Sequence, residues 1–366
     1  MIASILNAYG IHNGKSLVEP LLSGLINSTW KVTSGEQQFI LQRINDNVFK
    51  KPYELAANIS MLDQYLKAHS PGYLFVAPIG NSRGEEIVYD SANGYFRLFP
   101  FIRGSHTINV VSDPNQAFEA SLQFGKFTRL LSGFDAARLH LTIPDFHNLT
   151  LRYHQFEDSI KRGNPDRIKQ SATLIAEIKN HYHILTSFEK IKKDVSVRNR
   201  VTHNDTKISN VLFDDKGKGI CIIDLDTVMP GYFISDVGDM MRTYLSPANE
   251  EEKDFSAIEV RDDFFQAIVQ GYLSCMGDEL TPDEKDLILY SGLFLIYMQA
   301  IRFLADYCNN DSYYGARYED QNFVRAGNQI CLLKKLEEKA EVFQKMISDE
   351  LTTKTYLFNL SGSLPT

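Results

Sequence analysis

The chain has 366 residues, 43% of them hydrophobic and 23% charged, the balance of a soluble globular protein long enough for two domains or one large bilobal unit. Collagen, coiled coil and disorder are poor readings of that composition. A formal charge of −8, from 38 basic and 46 acidic residues, argues against a nucleic-acid partner, although Mg2+ or local basic groups can still offset the field around a phosphate ligand.

The first hundred residues are β-rich. Thr29–Ser34 and Phe39–Ile44 predict a hairpin around Gly35, and Pro52 opens a helix in which Leu55, Ile59, Leu62 and Leu66 recur at helical spacing. Tyr73–Pro78, Glu86–Tyr89 and Tyr95–Phe99 predict further strands, separated by turns at Asn81–Gly84 and Asn93-Gly94. The sum is an antiparallel sheet with one inserted helix. Phe99–Gly104 is the expected boundary, because Pro100 and Gly104 break the strand and the composition then turns helical. Asp113-Pro114 caps a helix, and helical patterning returns over about 150–162 and 166–193. Thr281-Pro282-Asp283-Glu284 opens a long apolar helix through Tyr307, 325–350 is amphipathic, and Asn359–Thr366 reads as a loose tail.

The four cysteines, Cys221, Cys275, Cys308 and Cys331, have no paired spacing and predict reduced thiols. The N-terminus lacks the basic start and cleavage site of a signal peptide. The best apolar run, Gly292–Ile301, falls short of the roughly 20 residues that span a bilayer. The expectation is a cytoplasmic protein without a membrane partner.

One non-helical island, residues 200–235, interrupts the helical half. Val211–Phe213 and Ile220–Ile223 form a second hairpin across Asp214–Gly219, preceded by a polar loop and followed by Asp224 and Asp226. Asp205 and Asn210 lie five apart in that loop, and the hairpin folds Asp224 back toward them. Three oxygen-bearing side chains suit Mg2+, and phosphoryl transfer needs little more than a metal, an orienting carboxylate and alignment. His203–Asn210 fits the spacing H-R-D-x-x-x-x-N with Asn204 in place of Arg, and Ile223-Asp224-Leu225-Asp226 stands where kinases carry D-F-G. Lys207 is placed to neutralise a transferring phosphate or to sit solvated in the loop, and His203 reads more readily as an internal hydrogen-bonding residue than as a catalyst.

These motifs resemble the aminoglycoside phosphotransferase and choline kinase-like superfamily over essentially the whole chain. Phe39–Lys50, Thr202–Pro230 and Ala300–Asp306 carry a closer likeness to its N-acetylhexosamine 1-kinases. The resemblance implies an α+β, bilobal, protein-kinase-like fold. Residues 1–98 would form an ATP-binding lobe with a small antiparallel sheet, 99–104 a hinge, and 105–366 a larger helical lobe for catalysis and acceptor binding.

It also implies Asp205 as catalytic base and Asn210 and Asp224 as Mg2+ ligands. Gly24–Thr29 matches the nucleotide-covering turn, with Asn27, Ser28 and Thr29 as ATP contacts beside Phe99, Phe101 and Ile102 of the hinge. The superfamily's third-strand lysine is absent. Arg43 is the expected phosphate-anchoring cation, with Gln42 on the opposite face one residue away and Glu54 a possible helix partner. Asp226, Arg302, Tyr313 and Tyr314 are candidate acceptor contacts, although Arg302 and Asp306, four apart, could simply pair with each other. Asp236 fits a helix cap or a loop-holding role.

The expected activity is transfer from ATP to the anomeric hydroxyl of an N-acetylhexosamine, giving the sugar 1-phosphate and ADP. The alternatives are the same chemistry on choline, homoserine or an aminoglycoside, or a nucleotide-binding module without catalysis. The absence of D-F-G and A-P-E disfavours a protein kinase.

Overall fold

The computed structural model describes residues 2–12, 16–21 and 26–361, with side chains through 352. In chain order its elements are α1 (Ile2–Ala8), β1 (Ser16–Leu21), β2 (Ser28–Ser34), β3 (Gln37–Ile44), α2 (Pro52–His69), β4 (Val88–Asp90), β5 (Gly94–Pro100), β6 (Ser105–His106), α3 (Pro114–Leu130), α4 (Leu149–Arg162), α5 (Pro165–Gln170), α6 (Ala172–Asn180), α7 (Tyr182–Ile191), β7 (Arg200–Thr202), β8 (Val211–Asp214), β9 (Gly219–Ile222), β10 (Met229–Gly231), α8 (Phe233–Tyr244), α9 (Asp262–Met276), α10 (Pro282–Asp286), α11 (Ile288–Cys308), α12 (Gln321–Glu338) and α13 (Ala340–Ser361). They gather into two compact units. The first is Met1–His106 with Gly133–Pro144 and Leu212–Pro230; the second is Thr107–Ser132, Asp145–Val211 and Gly231–Thr366. The first unit thus draws in two segments that the sequence reading assigns to the C-terminal part.

In the first unit β1, β2, β3, β5 and β4 lie side by side in an antiparallel sheet. Strand alternation sorts its faces. Val32, Leu41, Phe96 and Leu98 bury with Ile5 and Leu6 of α1 in one apolar core. On the other face Thr29, Gln42 and Arg97 stand in register across β2, β3 and β5. Leu55, Ile59, Leu62 and Leu66 of α2 are buried, as their spacing predicts. Asn58 of α2 donates to the carbonyls of His140 (2.9 Å) and Val228 (3.3 Å) and accepts from the His140 N–H (2.8 Å), which ties both outlying segments to this unit.

Tyr73–Pro78 is not a strand: only an isolated bridge, Ile79 to Leu98, reaches the sheet there. Pro78 lacks the N–H that a ladder position needs. β1, which the sequence reading leaves out, carries Pro20 and lies at the sheet edge, where a missing donor is tolerated.

The second unit is mainly helical. The Thr281 capping box forms with both reciprocal bonds and opens α10, after which α11 runs on. α11 is longer than the apolar run read from the sequence, with a mean hydropathy of 1.6 and 78% of its apolar window buried inside the protein. Gly238 lets α8 close on α11, since a Cβ there would fall 2.2 Å from the Ser291 carbonyl oxygen. α8 escapes the sequence reading because Phe233–Met241 is buried on every side, which erases the one-sided pattern of a surface helix. None of the four cysteines is in a disulfide.

Candidate active site

In the second unit, the loop between β7 and β8 is fixed by carboxylates of α8. Asp236 accepts the N–H groups of His203 (2.9 Å) and Asn204 (2.7 Å), and Asp239 accepts that of Thr206 (2.8 Å). The Thr206 hydroxyl donates to the Asp236 carbonyl (2.8 Å), and the Tyr244 hydroxyl donates to the Thr206 carbonyl (2.5 Å). Asp236 therefore holds the loop. Burial pushes its carboxyl up to about 7, against the pull of the His203 and Asn204 N–H groups. Asn204 has φ 65°, a left-handed conformation that asparagine tolerates better than the arginine of the usual motif. His203 is fully buried, edge-on to Phe124 at 5.1 Å, and its Nδ1 accepts from the Asp205 N–H (3.4 Å), the internal hydrogen-bonding role its sequence context predicts.

So braced, the loop brings three of the expected residues together. Lys207 Nζ lies 3.1 Å from Asp205 Oδ2. Asn210 Nδ2 donates to the Asp205 carbonyl (2.8 Å) and to Oδ2 (3.1 Å), so the oxygen of its amide is the end offered to a cation. Asp205 keeps 22% of its side chain exposed, enough for a substrate to reach it.

The other expected residues of the 203–230 segment belong to the first unit. Asp224 ends the β8–β9 hairpin as an exposed residue with φ 61°, a conformation costly for aspartate and concentrated at functional sites. Asp226 is offered to the acceptor by the sequence reading, but the structure buries it. One carboxylate oxygen accepts from Asn27 Nδ2 (2.7 Å) and the other from Arg97.

Arg97 is the residue that sequence reasoning misses. It is 1% exposed on β5, its Nε donates to Gln42 Oε1 (2.9 Å), and its Nη1 is buried without a partner. The available signal was a charge at an alternating position of the apolar run Tyr95-Phe96-Arg97-Leu98-Phe99.

Gln42 thus faces the polar side of the sheet, where its amide also donates to Thr29 Oγ1 (3.4 Å). Arg43 is exposed and turned to the opposite side. Glu54 pairs with Lys51 (2.9 Å) and approaches His140 (3.8 Å), not Arg43. Asn27 is buried and also accepts from the Asn45 N–H (2.9 Å), whereas Ser28 is exposed; Gly24 and Leu25 lie outside the described residues. At the boundary, Phe99 lies 5.0 Å from the Arg97 guanidinium and Phe101 4.5 Å from Lys31 Nζ. The Ile102 carbonyl accepts from the Ser105 hydroxyl (2.6 Å).

Arg302, Tyr313 and Tyr314 line one cavity of about 430 Å3 in the second unit, together with Arg152 and Asp306. Arg302 does not pair with Asp306. Asp306 instead accepts the N–H groups of Tyr313 (2.7 Å) and Tyr314 (2.9 Å), folding that turn over the helix. The Arg302 guanidinium lies 5.4 Å from the Tyr314 ring centre and 5.9 Å from that of Tyr313. His147, beside the cavity, is held well below the usual imidazole range by burial and then by Arg302, Arg242 and Arg152. Arg242 in turn pairs with Asp239 (2.9 Å) and Glu250 (2.7 Å).

This combination of an antiparallel sheet unit, a helical unit and a braced D-x-x-x-x-N loop defines an α+β, protein-kinase-like fold. The phosphotransferase enzyme family (APH) matches residues 17–277, and the chain belongs to it. The protein is thus a phosphotransferase of that family. It is similar in fold to a microcompartment-associated aminopropanol kinase, 17% identical with a TM-score of 0.64 over 93% of this chain and 97% of that one. An aminoglycoside phosphotransferase from Alicyclobacillus acidocaldarius is 9% identical, with a TM-score of 0.63 over 94% and 96% of the two chains. An amicoumacin kinase in complex with AMP-PNP and Ca2+ is 15% identical, with a TM-score of 0.59 over 92% of each.

Proposed function

We propose that this phosphotransferase moves the γ-phosphoryl group of ATP to the anomeric hydroxyl of an N-acetylhexosamine, giving the sugar 1-phosphate and ADP. The observation that carries the reading is the Asp205, Lys207 and Asn210 constellation on a loop braced by Asp236 and Asp239. The donor chemistry fits a hard cation: the Asn210 amide oxygen and the Asp224 carboxylate are ligands of the kind Mg2+ takes. When bound, Mg2+ would neutralise the nucleotide phosphates. The fold relative with AMP-PNP and Ca2+ supports a nucleotide and a divalent ion here.

Asp205 accepts the proton of the attacking hydroxyl and orients its oxygen for in-line attack on the γ-phosphorus. Lys207 holds the Asp205 carboxylate and offsets charge developing on the transferred group. Phe99, Phe101 and Ile102 flank the adenine, and Thr29, Gln42 and Arg97 form the polar sheet face toward the phosphates. Arg97 itself is held by Asp226 and Gln42, and Arg43, exposed on the other face of β3, stays the proposed phosphate cation. Arg302, Tyr313 and Tyr314 hold the sugar.

A second reading is an amino-alcohol acceptor, supported by the aminopropanol kinase relative. Phosphorus NMR of the product separates the two. A phosphate coupled to an anomeric proton is expected after incubation with Mg·ATP and N-acetylglucosamine. ADP formation only with aminopropanol or choline would overturn the sugar reading.

A further inference from the structure

We infer that Asn27 and Asp226 are positioning residues that couple the nucleotide-covering turn to Asp224, so that a nucleotide held at the turn is felt at Asp224 through the protein itself. The inference rests on the reading of Asp224 as a metal ligand and adds how that ligand is set. Side chains of the first unit form a ring of hydrogen bonds. Asn27 Nδ2 donates to Asp226 Oδ2 (2.7 Å), and Arg97 donates both to Asp226 Oδ1 and, through Nε, to Gln42 Oε1 (2.9 Å). Gln42 Nε2 donates to Thr29 Oγ1 (3.4 Å), and the backbone from Thr29 back to Asn27 closes the ring. Asn27 and Asp226 are both buried. Asn27 is engaged at each end of its amide, because its Oδ1 accepts the Asn45 N–H (2.9 Å), and the Asn45 amide donates to the Ile26 carbonyl (3.2 Å). Asn27 thus serves the turn through the protein instead of through the nucleotide.

What the ring fixes is the segment that follows Asp224. Asp224 is exposed, and its left-handed φ of 61° persists in an aspartate where the surroundings over-determine it. Leu225–Thr227 then make a buried 3-10 turn, closed by the Val228 N–H on the Leu225 carbonyl (3.1 Å). Asn27 and Arg97 anchor this turn at Asp226, and Asn58 anchors its far end by donating to the Val228 carbonyl (3.3 Å). Arg97 stands on β5 and Asn58 on α2, whereas Asn27 stands in the nucleotide-covering turn. Ordering that turn on a nucleotide therefore tightens the hold on Asp226 and, two residues away, on the backbone of Asp224. Coupling is reciprocal, so a cation held at Asp224 orders the turn in return. Losing the Asn27 bond leaves Asp226 neutralised by Arg97, so its removal acts on the coupling more than on the fold.

The test is hydrogen exchange of the 224–228 amides in the full chain, with and without saturating ADP in EDTA, so that no metal bridges the two places. ADP should slow exchange there by about fivefold or more in the natural chain, the lower end of ordinary coupling between sites. It should leave exchange unchanged in Asn27→Ala. Asn27→Ser, whose hydroxyl is too short to reach Asp226, gives the same reading should the alanine variant fail to fold. The double variant Asn27→Asp/Asp226→Asn rebuilds the bond with donor and acceptor reversed and should restore the protection, which a merely structural loss would not allow. Equal protection in the natural chain and Asn27→Ala, or no rescue by the reversed pair, would overturn the coupling while leaving the kinase reading intact. Binding of Mn2+, followed by electron paramagnetic resonance, should weaken in Asp224→Asn. Unchanged binding there would overturn the metal-ligand reading and the inference with it.

Discussion

Arg97 in the first unit and Arg302 in the second show opposite treatments of a guanidinium. Arg97 is enclosed at 1% exposure and neutralised by Asp226, with Gln42 bonded alongside. Arg302 lines an open cavity, lies against aromatic rings and has no carboxylate partner among the described residues. A desolvated cation needs its counter-ion for the fold to stand, whereas a half-solvated one can remain uncompensated and keep its donors for a ligand. The first arrangement is chiefly architecture; the second leaves donors open, as the proposed acceptor role of Arg302 requires.

The largest effect that would sharpen this contrast is on stability. Arg97→Met strands the buried Asp226 carboxylate and should cost about 3–5 kcal/mol in denaturant unfolding, with part recovered in Arg97→Met/Asp226→Asn. Arg302→Met should cost about 1 kcal/mol or less and act on acceptor KM instead. Equal losses in the two single variants would erase the distinction.

Next comes the brace of the 203–210 loop. Asp236→Asn removes an acceptor from the His203 and Asn204 N–H pair and should lower stability by about 1–3 kcal/mol. Steady-state kinetics should show kcat falling at least tenfold, because a misplaced Asp205 loses alignment.

The smallest effect is a pH dependence. The His147 pKa is depressed in the fold, so the folded state binds fewer protons than the unfolded state. Its contribution to stability is present above pH 6.5, the ordinary imidazole value, and is lost as pH falls below it. Melting temperatures from pH 8 to pH 5 should drop more steeply for the natural chain than for His147→Asn. Parallel curves would show that burial among these arginines does not keep the ring neutral.

The loop and hairpin of 203–224 are legible in the sequence because their features are local: a fixed spacing, a glycine turn and short apolar strands. The partition of the cavity is less so. Arg302 and Asp306 have the spacing of an ion pair, but the Tyr313 and Tyr314 N–H groups, which arrive only when the following turn folds back, take the carboxylate first. Arg97 and Asp226 are 129 residues apart, and no local pattern announces such a pair. The faces of β3 follow from alternation, yet which face is polar depends on what β5 and the 212–230 segment place beside it. That is why Arg43 looks plausible from sequence and Gln42 is the one drawn into the cluster.

The most direct test of the central claim is phosphoryl transfer by Asp205→Asn, measured as ADP release with Mg·ATP and N-acetylglucosamine alongside calorimetric ATP affinity. Loss of a positioned base should lower kcat by about 10²–10⁴-fold with ATP affinity little changed. Undiminished turnover in that variant would contradict the assignment of Asp205 as the base.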